Sequence, residues 1–127
     1  MFLRFFRSDF YVKIYKNKIV INNLTNNLPA QMFMPDVPFT TTRLLVGKFS
    51  SAEACLTQAL KTTNSSIWFS KGKRLLIQPM ELVEGGLSEV EERVFRELGL
   101  GAGAIKIVLW IGAELANDKA IQMLNGK

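Results

Sequence analysis

Three glycines alternate in the stretch Gly99-Leu-Gly-Ala-Gly-Ala-Ile-Lys-Ile-Val-Leu-Trp110, a pattern able to cradle a phosphate. A glycine loop that binds a dinucleotide follows a strand and opens a helix whose N-terminus points at the phosphates. Just upstream, Glu89, Glu91, Glu92 and Glu97 supply carboxylates, the residue type for general acid–base work, and Cys55 is the one thiol. The chain contains no histidine. That excludes His-based triads, His acid–base chemistry and the commonest zinc ligand.

The elements that carry these groups decide what they do. Ser88 followed by Glu91 is a capping-box pattern, and Val90, Val94, Phe95 and Leu98 recur at helical spacing. The spacing predicts a helix with an acidic first turn, stopped by Gly99 or Gly101 in a left-handed conformation. Ile105 to Ile111 is β-rich and predicts a central strand. The glycines therefore lie after a helix and before a strand, the reverse of the nucleotide-binding order, and read as structural. The four glutamates crowd one helical segment and read as a solvated face. Cys55 falls on the apolar stripe Ala52, Cys55, Leu56, Ala59 and Leu60, where a buried structural thiol is expected.

Around this segment the chain reads as a small α/β domain. Phe10–Tyr15 and Lys18–Ile21, separated by Lys16-Asn17, predict a β-hairpin. The Asn- and Pro-rich stretch from Asn22 to Phe39 predicts loop with at most an edge strand. Thr42–Val46 predicts a third strand, and Ser50 or Ser51 caps a helix through Thr62. A polar connection with Trp68 and Phe69 leads to a short strand over Arg74–Gln78, and Glu114–Leu124 predicts a terminal helix. The order ββ(β)αβαβα implies a mixed sheet with flanking helices in one domain, the size that 127 residues support.

Sixteen Lys and Arg against eleven Asp and Glu give a net charge of +5, compatible with anionic lipid, nucleic acid or an acidic protein surface. A lone cysteine and the lack of a cleavable apolar leader point to a reducing cytoplasm. No apolar run approaches the roughly 20 residues of a membrane-crossing helix. The first nine residues form a separate unit in this reading. On a helix, Phe2, Leu3, Phe5, Phe6 and Phe10 make an apolar sector, with Arg4, Arg7 and Ser8 opposite. Phe2, Leu3, Phe5 and Phe6 would enter an anionic membrane interface while Arg4 and Arg7 contact lipid phosphates; the competing reading packs these phenylalanines on the domain or lengthens the first strand. Lys13, Lys16 and Lys18 interleaved with Tyr11 and Tyr15 raise nucleic-acid binding as an alternative.

The segment from Gly86 to Ile107 resembles the bacterial actin-like rod-shape proteins, MreB and Mbl, whose pattern there is close to G-x-T-x-V-E-R-R-A-x-x-E-x-x-x-x-A-G-A-x-x-V. Val90, Glu91, Arg93, Glu97, Ala102, Gly103 and Ala104 match, with Ser88 for threonine and Ile107 for valine. The resemblance spans nearly this whole chain but only the first subdomain of a family member. It implies a ribonuclease-H-like layout and a role in membrane-associated cell-shape filaments. Members carry D-x-G-T-x-N at the first hairpin for metal and phosphate; the corresponding stretch here is Lys13-Ile-Tyr-Lys-Asn-Lys18, with lysine for aspartate and no glycine. The family's E-P-x-A-A-A-I-G is Gly112-Ala-Glu-Leu-Ala-Asn-Asp-Lys119. The expectation is a non-catalytic, cofactor-free interaction module at the cytoplasmic face of the inner membrane. Its expected partner is a full-length actin-like protein, a wall-synthesis component or a second copy of itself. An ATPase fragment is the remaining alternative.

Overall fold

The computed structural model describes residues 7–63 and 72–126. The elements are β1 (Arg7–Tyr15), β2 (Lys18–Asn23), β3 (Gln31–Phe33), α1 (Phe49–Thr63), β4 (Gly72–Pro79), α2 (Glu89–Gly101), β5 (Ala104–Leu109) and α3 (Asn117–Leu124). The strands form one mixed sheet in the order β3-β2-β1-β4-β5. β1–β2 and β2–β3 are antiparallel, whereas β1–β4 and β4–β5 are parallel. The domain is thus α/β, a five-stranded mixed sheet with three helices.

Alternation along the central strands separates two cores. Phe10, Val12, Ile14, Leu75 and Ile77 point to one face, where they pack with Leu56 and Leu60 of α1 and Phe95 and Leu98 of α2. Tyr11 and Leu76 point to the other face, against Ala120 and Leu124 of α3. β1 and β4 are buried on both faces, which is why their sequences read as nearly continuous apolar runs.

Several sequence expectations hold. The hairpin forms with Lys16-Asn17 as its turn, Asn17 taking φ 51°, a left-handed conformation asparagine tolerates. The capping box is complete: Glu91 N–H donates to Ser88 Oγ at 3.2 Å, and Ser88 N–H to Glu91 Oε1 at 2.9 Å. Cys55 is buried on its helix, and burial, with the Asp36 charge second, pushes its thiol above the ordinary range.

Others are corrected. The third strand is Gln31–Phe33, not Thr42–Val46. Leu45 and Val46 are buried as expected of a strand, yet they belong to a loop pinned by side chains. Asn17 Oδ1 accepts the N–H groups of Phe39 and Thr40 at 2.8 Å each, and Thr40 Oγ1 donates to Leu45 O at 2.7 Å. α1 begins at Phe49, with Ser50 and Ser51 inside its first turn, and its ladder starts from the Lys48 carbonyl bonded to Ala52 N–H. α2 runs through Gly99 and Gly101, and Gly103, at φ 101°, is the left-handed residue that reverses the chain. Gly99 instead permits close packing, since a Cβ there would sit 2.6 Å from Ile107 Cδ1. β5 is an edge strand rather than a central one and ends at Leu109. α3 begins at Asn117, leaving Glu114 in the preceding loop. β1 begins at Arg7, so Arg7, Ser8 and Asp9 are part of the sheet rather than of a separate amphipathic helix.

Candidate functional site

In parallel sheets, ligands gather outside the carboxyl ends of the strands, where successive loops leave for opposite faces. β4 leads to α2 on one face and β5 leads to α3 on the other, so this point lies between their upper ends. The side chains there are Tyr11 and Lys13 from β1, Gln78 from β4, and Glu114 from the β5–α3 loop.

These groups are spent on one another. Tyr11 is fully buried; its hydroxyl donates to Gln78 Oε1 and accepts the Leu115 N–H at 3.0 Å. Gln78 Nε2 donates to the Gly112 carbonyl at 2.7 Å. Lys13 Nζ lies 2.9 Å from Glu114 Oε2 and 5.2 Å from the Tyr11 ring centroid. The network ties the loop after β5 to both central strands. Of the basic–aromatic set expected to stack on bases, Tyr11 and Lys13 are buried, Tyr15 and Lys18 are half-buried with Lys18 Nζ 4.4 Å over the Tyr15 ring, and Lys16 is exposed. Among the described residues, no three His, Cys, Asp or Glu side chains converge on a metal-sized space.

Burial, more than the opposing bond from Leu115 or the Glu114 charge, holds the Tyr11 phenol above its ordinary value of 10.0. Tyr15 is raised as well, again chiefly by burial. A phenol raised on folding loses its proton first in the unfolded chain. Its contribution to stability is therefore complete below the unfolded value and lost as pH rises through the folded one. Base unfolding followed by circular dichroism is expected to set in above about pH 10. Tyr11→Phe should make the loss shallower while costing about 1 kcal/mol at neutral pH through its hydrogen bonds. Equal alkaline slopes in both proteins would contradict this assignment.

The residues matched in the actin-like motif divide by position. Ser88 and Glu91 cap α2, Ala102 and Gly103 form its exit, and Ala104 is buried at the start of β5. Val90, expected on the apolar face, is 73% exposed. With Arg93, Val94 and Glu97 it lines an open groove beside Phe49, and Arg93 Nε lies 3.9 Å from Glu97 Oε1 on a largely solvated surface. A second, narrower cleft runs between α2 and the loops carrying Leu45 and Leu82; it holds about 50 Å³, room for a side chain but not for a nucleotide. Helical periodicity grouped Val90 with Val94 correctly. It could not show that the turn of helix carrying Val90 overhangs the core.

Of the proposed membrane contacts, Phe2, Leu3, Arg4, Phe5 and Phe6 lie outside the described residues, as do Trp68 and Phe69. Arg7 opens β1 with its Nε 3.8 Å from Asp9 Oδ1. Among the described residues, no helix is long and apolar enough to cross a membrane.

No protein-family model matches the chain. It is 33% identical over 104 residues to the uncharacterized protein YjaA of Escherichia coli (strain K12), an alignment covering 78% of this chain and 80% of that protein. With similarity extending over most of both sequences, the chain belongs to the YjaA family.

Proposed function

We propose that this chain is a non-catalytic interaction module built on a ribonuclease-H-like, actin-like subdomain, and that it works with a membrane-associated cell-shape cytoskeleton at the cytoplasmic face of the inner membrane. The order β3-β2-β1-β4-β5, with an antiparallel leading trio and two parallel strands, supports the layout, as does the division of α1 and α2 from α3 across the sheet. The resembled family's metal and nucleotide do not fit the strand ends. Lys13 stands where that family has aspartate, its ammonium would repel a cation, and its neighbours are already bonded to one another.

The observation that carries the reading is the outer face of α2. Val90 and Leu100 are 73% and 52% exposed, with Arg93 and Glu97 between them. Large apolar groups presented on a rigid helix beside opposite charges suit a protein partner better than a substrate. That partner is a full-length actin-like protein or a wall-synthesis component.

Co-pelleting with filaments of the full-length actin-like protein from the same cell tests this. Wild type is expected in the pellet, and Val90→Glu should weaken its retention about tenfold. Absence of the wild type from the pellet, or equal retention of both, would overturn the reading. Flotation with anionic vesicles in the same preparation tests the membrane part: recovery of Phe5→Glu/Phe6→Glu equal to wild type would remove it.

A further inference from the structure

β5 is an edge strand whose usual guards are missing or displaced. Among the described residues it pairs with β4 alone. It contains no proline, and its one charged residue is Lys106. Sheet edges are normally blunted by lysine, proline or a bulge. Here the Lys106 ammonium donates to the Leu124 carbonyl at 2.8 Å, drawn off the edge to the end of α3. A register shift opposite Lys73 and Arg74 confines the bulge to Ile105, leaving Lys106–Leu109 in regular pairing.

The phase of the free hydrogen-bonding groups follows from one bond. Trp110 N–H donates to Ile77 O at 3.0 Å, so Lys106, Val108 and Trp110 turn their backbone groups toward β4. Those of Ile107 and Leu109 therefore face outward.

We propose that a second copy of this chain pairs with β5 in antiparallel orientation about a two-fold axis at Val108, joining two five-stranded sheets into one. In that register the outward groups of Ile107 in each copy meet those of Leu109 in the other, closing reciprocal hydrogen bonds. Ile105, 64% exposed, faces Ile111 of the second copy. In this register Lys106 lies opposite Trp110, its ammonium still held by the Leu124 carbonyl. The contact is isologous, each copy offering the same strand.

Charge sets the orientation. The lower end of β5 is basic, with Lys106 in the strand. The upper end is acidic: Glu92 lies two helical turns before Gly99, on the side of α2 that packs against Ile107. Antiparallel pairing brings each basic end to the other copy's acidic end, whereas parallel pairing would set like against like. One short strand covers less than the roughly 800 Å² per partner of a standard stable interface, so the association is reversible and depends on concentration.

The proposal is independent of the α2 surface, and the test keeps them apart. As chain concentration rises, sedimentation velocity should show monomer converting to dimer, and amide exchange at Ile107 and Leu109 should slow about tenfold. Ile105→Lys, at an exposed position, should keep the wild-type melting temperature and remain monomeric. Val90→Glu should dimerise like wild type. A monomer at every concentration, a dimer without protection at Ile107 and Leu109, or dimerisation lost in Val90→Glu but kept in Ile105→Lys would each overturn the β5 pairing.

Discussion

Arg74→Leu is expected to be among the most damaging single substitutions in this chain, costing on the order of 3–5 kcal/mol of stability. The guanidinium grips Asp9 in bidentate fashion, Nε to Oδ1 at 2.9 Å and Nη2 to Oδ2 at 2.9 Å. It also donates from Nη1 to Leu124 O at 3.1 Å and from Nη2 to Asn125 Oδ1 at 2.9 Å. One side chain therefore neutralises a carboxylate between two central strands and caps the C-terminal end of α3, where the helix dipole favours a cation. The hydrogen bonds it donates to Asp9, partly offset by burial, push the guanidinium above its ordinary range, so its charge persists at any working pH. Leucine would leave Asp9, whose side chain is 11% exposed, without its close partner. The remaining Arg7 contact, at 3.8 Å, is too long to replace it. For a domain of this size the loss amounts to a fall in melting temperature on the order of 10–20 °C. The double variant Arg74→Leu/Asp9→Leu should be more stable than Arg74→Leu alone, because it removes the orphaned charge. A melting temperature for Arg74→Leu within about 3 °C of wild type would show that the cluster contributes little.

Features written in short stretches of sequence are the ones that could be read directly. The α2 cap needs only Ser88 and Glu91, three residues apart, and the hairpin needs only two β-rich runs around Lys16-Asn17. Features that depend on distant partners could not be read this way. Leu45 and Val46 carry the apolar character of a strand, but the Asn17 side chain occupies the backbone N–H groups of Phe39 and Thr40 and fixes the following segment as a loop. β5 looks central because α2 and α3 bury parts of its two faces; which strand lies at the edge is a property of the sheet order. The strand-end cluster was legible only in part. Comparison with the actin-like pattern drew attention to Lys13, whereas its partner Glu114 lies 101 residues away, at the end of a segment read as helix. Tyr11 and Gln78 gave no local sign that they meet.

Lys13→Asp restores the residue type found at this position in the resembled family, and it is expected to destabilise the fold by on the order of 3 kcal/mol. The Lys13 side chain is 6% exposed, and its ammonium rests between Glu114 Oε2 and the Tyr11 ring. Aspartate would lose both contacts, bury a shorter anion among Tyr11 and Gln78, and face Glu114 with like charge. Glu114 is 54% exposed on its side chain, so water screens it. Glu114→Ala alone should therefore cost less, about 1 kcal/mol or below. Lys13→Met, which keeps the packed stem and removes the charge, should also stay within about 1–2 kcal/mol of wild type. Adding Glu114→Lys to Lys13→Asp should recover part of the loss, and chemical denaturation of the four proteins of that cycle measures the recovery as a coupling energy. No recovery would mean that Lys13 contributes by packing rather than by its charge. Calorimetry of Lys13→Asp with ATP and magnesium should still give no heat of binding. A carboxylate alone does not rebuild a phosphate site, because Asn17 holds Phe39 and Thr40, Gln78 holds Gly112, and Tyr11 holds Leu115.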